Sequence, residues 1–238
     1  MKLSAFFCLF SLVLSLQAAD FLDDVDIKRP EIRKLNWSRE EKLYGYNPLR
    51  KNSFNVYLAD CSYGGREDAF YRFLSSQTLL LASKRWVASG VLLVPCLKEE
   101  REGRGFSSEQ LRFLTNTIRL YIDNRAFPMD RIHLFATTKR SPLAIALIET
   151  MPELFTSFTF VDSILNLEHP KRFLGIRMRG YFLKTSSNLS KAQQALKPLM
   201  ELGGRVEFLK MDNQEQLETL PYRSDYIKWI DSISWAKK

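Results

Sequence analysis

Short apolar runs alternate along the chain with segments in which apolar residues recur every three or four positions. The runs are typical of strands buried on both faces, and the segments are typical of helices that cover a sheet. The predicted strands are 54–59, 91–94, 131–136, 157–161, 181–185 and 206–211, and helices are predicted at 67–86, behind Ser107, from Ser141, at 190–202 and at 225–236. This alternation predicts a three-layer α/β fold with a mainly parallel central sheet.

Local signals predict several boundaries of these elements. Ser107 with Gln110 three residues later matches the capping box of a helix start. Ser141 is expected to cap the next helix, because proline follows it at the first helical position. Pro95 is expected to end its strand, and residues 163–178 show no regular pattern.

The N-terminal segment has the pattern of a secretory signal peptide. A charged start precedes an uncharged apolar stretch, and two small alanines stand before Asp20. The expected division is a signal peptide at 1–19, an N-terminal arm with edge strands at 20–50 and one domain at 51–238. Cleavage would make the protein periplasmic or extracellular, with no stable membrane span. An uncleaved anchor is the alternative, although the run is short for about 30 Å of hydrocarbon.

The composition narrows the classes of partner and cofactor. The net charge is +8, but basic and acidic residues are interspersed, as in 98–104, so a mixed-charge surface is expected and a nucleic-acid partner is not. Two histidines and three cysteines form no metal-ligand motif, and no Gly-x-Gly-x-x-Gly follows a strand. We therefore expect neither a metal nor a cofactor, and the sequence names no ligand or partner.

Three stretches resemble the α/β-hydrolase fold, in particular its secreted esterase, depolymerase and peptidase branch. Residues 55–59 running into Tyr63-Gly64-Gly65 resemble the strand and glycine loop that help to form the oxyanion hole. Residues 129–155 resemble the strand, the nucleophile helix and its exit, and 181–210 resemble the segment that brings in the acid and the histidine. The resemblance implies a reaction centre at the carboxyl ends of the strands.

The residues that would carry the family's chemistry are missing. The Gly-x-Ser-x-Gly motif is replaced by 136–140, which reads Ala-Thr-Thr-Lys-Arg, and Thr138 takes the place of the nucleophile. A β-branched residue disfavours the positive φ of a strained turn. Ser141 is followed by Pro142, which has no N–H to donate to an oxyanion.

The histidine and the acid are missing as well. The family's histidine should follow the last strand, but no histidine occurs after His169. The acid position, near 186–188, holds no carboxylate, and Asp212 is interpreted as a turn residue. We therefore expect an exported, degenerate hydrolase that acts by binding or as a scaffold.

Two other interpretations stay open. A structural module that forms complexes would use Lys139, Arg140 and an aromatic-rich surface. An active esterase or peptidase-type hydrolase would need a non-standard site. The candidates for that site are Thr138, Lys139, Ser141, Asp162, His169 and Asp212.

The resemblance also implies a disulfide. In the resembled fold the strands 54–59 and 91–94 are neighbours, so Cys61 and Cys96 would follow them at the same end. An exported protein meets oxidising conditions, and we predict a Cys61–Cys96 bond. Two buried free thiols are the alternative.

Overall fold

The structure is a computed structural model that describes residues 42–46, 53–58, 91–96, 106–125, 131–218, 220 and 223–235. Four sequence predictions lie outside these residues: the signal peptide at 1–19, the position of Cys61, the glycine loop at 63–65 and the helix at 67–86. The arm at 20–50 is described only at 42–46, and Cys96 is described by its backbone.

The described strands form one seven-stranded sheet. They are β1 (Lys42–Tyr46), β2 (Phe54–Leu58), β3 (Val91–Cys96), β4 (Ile132–Ala136), β5 (Ser157–Val161), β6 (Arg177–Leu183) and β7 (Arg205–Met211). Their order across the sheet is β1-β3-β2-β4-β5-β6-β7. β1 pairs antiparallel with β3, and every other neighbouring pair is parallel. The predicted mainly parallel sheet is therefore confirmed.

Helices cover both faces of this sheet and complete the three layers. They are α1 (Ser108–Arg125), α2 (Ser141–Thr150), α3 (Asn188–Glu201), α4 (Gln214–Glu218) and α5 (Ser224–Trp235). α1, α2 and α3 pack on one face through a core that includes Leu114, Leu147 and Leu196. α5 packs on the other face, where Tyr226 and Ile230 join a second core. No helix of the described ranges is long and apolar enough to span a bilayer.

Two helix boundaries follow the local signals. The Ser107 hydroxyl accepts the Gln110 N–H at 3.0 Å, and the Gln110 side chain accepts the Ser107 N–H at 3.0 Å, so the capping box is confirmed. Gly203 ends α3 with a φ of 89°, which favours glycine, and its N–H donates to the Met200 carbonyl at 2.9 Å.

Two strand boundaries were predicted wrongly. β3 continues through Pro95 to Cys96, because it pairs with β1 there, while its register with β2 ends at Leu93. A proline is tolerated where only one side of a strand is paired. β6 begins at Arg177 rather than at Tyr181, because its first residues pair with β5 even though alternate positions carry charge.

Gly180 of β6 lies under a cluster of phenylalanine rings. A Cβ at this position would lie 2.5 Å from the Phe160 ring and 2.8 Å from the Phe182 ring. These rings contact each other edge-on, with centroids 6.0 Å apart, and both are fully buried. Only glycine therefore fits between the sheet and this part of the core.

We predict that Gly180→Ala lowers the free energy of unfolding by about 1–3 kcal/mol, because the added methyl group overpacks the ring cluster. Gly175→Ala is the matched control, since a Cβ there meets nothing within 4 Å. It should change the free energy by less than about 0.5 kcal/mol. Chemical denaturation measures both, and equal stability of the two variants would contradict the packing.

Candidate functional site

The carboxyl ends of four described parallel strands meet at one edge of the sheet, where α/β proteins place their sites. The segments that follow β4, β5, β6 and β7 there are 137–141, 162–163, 184–188 and 212–213. These segments contain all the sequence candidates except His169. The residues directly after β2 and β3 lie outside the described ranges.

The turn after β4 has ordinary backbone geometry. Thr138–Arg140 form a single 3-10 turn, and α2 begins directly behind it at Ser141. Among the described residues, positive φ occurs at Asp162, with 45°, and at Gly203. Thr138 therefore does not adopt the strained conformation with which a nucleophile elbow presents its serine.

The hydroxyl groups of Thr138, Ser141 and Ser163 form a cluster, called here the hydroxyl cluster. Thr138 Oγ1 and Ser163 Oγ each donate to the carbonyl oxygen of Val161 at 2.8 Å. Ser141 Oγ lies 2.8 Å from Ser163 Oγ and 3.2 Å from the Thr137 carbonyl oxygen, and its single proton is shared between these two acceptors. Each hydroxyl has one proton, and in all three it is directed to a carbonyl or to another hydroxyl.

The prediction that Ser141 caps α2 is wrong. Arg140 occupies the cap position, Ser141 is the first helical residue, and the Ser141 hydroxyl is a donor rather than an acceptor. The reason is the preceding 3-10 turn, in which the Arg140 N–H already donates to the Thr137 carbonyl at 2.9 Å. The turn replaces the side-chain cap, so Ser141 is free to join the hydroxyl cluster.

Asp162 connects the ends of β5 and β6. Its N–H donates to the Tyr181 carbonyl at 2.8 Å, and its carboxylate accepts the hydroxyl proton of Ser186. The Asn188 amide donates to the Asp162 carbonyl at 3.3 Å. Aspartate tolerates the left-handed region better than most residues. The sequence analysis named Asp162 and the segment 186–188 but did not predict that they contact each other, and it missed Ser163. The one sequence signal for Ser163 is a polar residue shortly after a strand.

Asp212 lies at the end of β7 in an exposed turn. It forms an ion pair with Lys184, and the hydrogen bond and charge of Lys184 hold the pKa of its carboxyl below the usual value. β7 is three strands away from β4, a spacing of about 14 Å. The structure therefore does not bring Asp212 together with the hydroxyl cluster.

His133 is buried inside the sheet. It belongs to β4, is 1% exposed, and its Nδ1 lies 2.8 Å from Ser157 Oγ. Burial, with a smaller effect from the positive charge of Arg131, lowers the pKa of His133 to about 3. Its ring is therefore neutral at pH 7 and is held in the amino-terminal half of the strand.

His169 lies beside the far end of α2. The backbone N–H of His169 donates to the Glu149 carboxylate at 3.3 Å. Glu149 is eight residues after Ser141, about 12 Å along the helix axis. The sequence contains only these two histidines, and the structure places neither one at the hydroxyl cluster. Within the described ranges, no group of three potential ligand residues could hold a metal ion.

No protein-family model matches the sequence, and no protein of curated function matches it significantly. Solved structures match most of the chain. A thermostable esterase has a TM-score of 0.64 and 16% identity over 81% of this chain and 59% of its own. A protein from a Silicibacter strain, provisionally named a thioesterase, has a TM-score of 0.60 and 11% identity over 92% and 91%.

A structure from a study of two esterases of the fungus Rhizomucor miehei matches with a TM-score of 0.56 and 8% identity, over 82% of this chain and 78% of that one. The chain has the α/β-hydrolase fold. The resemblance predicted from the sequence is thereby confirmed for the fold, and at these identities the likeness shows the fold alone. The chain spans only 59% of the length of the thermostable esterase.

In this α/β-hydrolase fold, the buried His133 makes stability depend on pH. The unfolded chain takes up a proton on this side chain near pH 6.5, whereas the folded chain does so only near pH 3. The contribution of the neutral ring is therefore complete above pH 6.5 and is lost as the pH falls toward 3.

We predict that His133→Asn, which keeps a hydrogen-bonding partner for Ser157 but cannot titrate, unfolds with a shallower pH dependence between about pH 6 and pH 4. Urea denaturation at several pH values measures the slope. Identical slopes for wild type and variant would contradict the low pKa, whatever the difference in absolute stability.

Proposed function

We propose that this chain has lost triad catalysis and acts by binding a ligand or a partner protein. The observation that carries the proposal is the direction of the hydroxyl protons beside the nucleophile position. Thr138 donates to the Val161 carbonyl, and Ser141 donates within the hydroxyl cluster. These hydrogen bonds connect the β4–α2 turn to the end of β5, which is a structural role.

A serine or threonine hydroxyl needs a general base to become a nucleophile at neutral pH. His133 and His169 lie away from the hydroxyl cluster, and Lys184 is held by Asp212. Loss of triad members typically removes several powers of ten in rate. This distribution of groups supports binding rather than hydrolysis.

The position of the Asp162 carboxylate favours the alternative function, an active esterase or peptidase-type hydrolase. This carboxylate follows Val161 directly, and the carbonyl of Val161 accepts the Thr138 proton. An active site of this kind would use Asp162 as the base for Thr138. In the structure, however, the Asp162 carboxylate accepts a hydrogen bond from Ser186 across the β5–β6 ends.

Export remains part of the proposal. The charged start and apolar stretch of residues 1–19 support it, and an oxidising compartment would allow the Cys61–Cys96 disulfide. Cys96 is the last residue of β3, the strand next to β2, and Cys61 stands three residues beyond the end of β2. The pairing of the two thiols stays a prediction.

We predict that the purified protein hydrolyses p-nitrophenyl acetate and butyrate less than about tenfold faster than buffer. Thr138→Ala and Ser141→Ala should leave this rate unchanged, and a fluorophosphonate probe should label none of the three proteins. Asp162→Asn tests the alternative function, in which the Asp162 carboxylate is the base for Thr138.

Labelling of the wild type that disappears in Thr138→Ala or Ser141→Ala would overturn the proposal. Ester hydrolysis that is lost in both Thr138→Ala and Asp162→Asn would do so as well, and it would establish the alternative. Thermal denaturation confirms that each variant is folded before its rate is compared.

A further inference from the structure

Two arginines begin neighbouring strands at the opposite edge of the sheet from the hydroxyl cluster. Arg177 is the first residue of β6, Arg205 is the first residue of β7, and the two are direct partners in the parallel register. Partnered residues project their side chains from the same face, and their backbones are about 4.8 Å apart. Arg205 is exposed and Arg177 is half-buried.

The positive charges of this pair are not compensated within the described part of the chain. Among the described residues, the guanidinium groups of Arg177 and Arg205 form no ion pair and no side-chain hydrogen bond. Two residues further along the same strands, Arg179 is partnered with Glu207, and Arg179 Nε donates to Glu207 Oε2 at 2.8 Å. Like charges directly opposite each other destabilise a sheet, so this first pair differs from the next one in lacking a counter-charge.

The residues paired in register with the two arginines form a row across the sheet, and the other members of this row are polar. Arg177 is partnered with Ser157, Ser157 with His133, and His133 with Asn55, and these three inner residues are buried. Arg131 precedes His133 by two residues on the same face. The pKa of His133 is lowered first by burial and, to a smaller extent, by the positive charge of Arg131.

We propose that Arg177 and Arg205 together bind a phosphate group. Two guanidinium groups carry two positive charges, and a phosphate monoester carries about −1.5 to −2 charges at pH 7 with three strong acceptor oxygens. A single carboxylate is satisfied by one guanidinium fork and would leave the second arginine uncompensated. Phosphate matches both the charge and the number of donors of the pair.

This inference is independent of the proposed loss of catalysis. The amino ends of β6 and β7 lie at the other edge of the sheet from Thr138, so the binding of phosphate and the absence of hydrolysis can fail separately. Free inorganic phosphate and the phosphate group of an organic monoester share this chemistry, and the test compares the two sources.

The test measures the melting temperature of the purified full chain at increasing concentrations of inorganic phosphate, phosphoserine or acetate, at constant ionic strength. The variants are Arg177→Gln, Arg205→Gln and the control Lys210→Gln. The control removes one positive charge from the exposed surface of the same strand β7 at its other end. A ligand that binds only the folded protein raises its melting temperature.

We expect phosphate or phosphoserine at about 10 mM to raise the melting temperature of the wild type and of Lys210→Gln, and acetate to have no effect. Both arginine variants should lose this rise, and without phosphate they should melt no lower than the wild type because a repulsion is relieved. A larger effect of phosphoserine identifies the monoester as the ligand, and equal effects identify the free phosphate.

Three results would overturn the proposal. The first is no rise for the wild type with either phosphate compound, and the second is an equal loss in the Lys210→Gln control. The third is an equal rise with acetate, which would show that any anion screens the surface charge.

Discussion

The carbonyl oxygen of Val161 is the acceptor on which the candidate site depends. It receives the protons of Thr138 and Ser163, and Ser141 lies directly behind Ser163. These bonds join the turn after β4 to the end of β5, and Asp162 continues the connection to β6 through Ser186. Ser141 and Ser163 are buried, and a buried hydroxyl left without a partner costs about 1–3 kcal/mol, so their bonds have a structural value that does not need catalysis.

The chain has the α/β-hydrolase fold, and the segment beside β4 in it is a regular 3-10 turn with negative φ. The hydroxyl groups of Thr138 and Ser141 form ordinary hydrogen bonds at this turn. The layers and the sheet depend on apolar positions spread along the whole chain, whereas catalysis would depend on a few groups at one edge. Fold and activity can therefore separate.

The sequence predicted the features that depend on local pattern, such as the parallel strands, the capping box at Ser107 and the end of the helix predicted at 190–202. It could not predict features that depend on neighbours distant in sequence. Pro95 remains in β3 because β1 pairs with it, and β6 begins at Arg177 because Arg177 pairs with Ser157, the first residue of β5. Ser141 joins a serine 22 residues away, and no periodicity indicates such a contact.

The most direct test of this account is a double-mutant cycle of Ser141→Ala and Ser163→Ala, with the free energy of unfolding as the readout. Because the two hydroxyls share a buried hydrogen bond, the account predicts a coupling of about 0.5–1.5 kcal/mol. Effects that add to within about 0.3 kcal/mol would show that the hydroxyls do not act on each other. That result would contradict a structural role for the cluster.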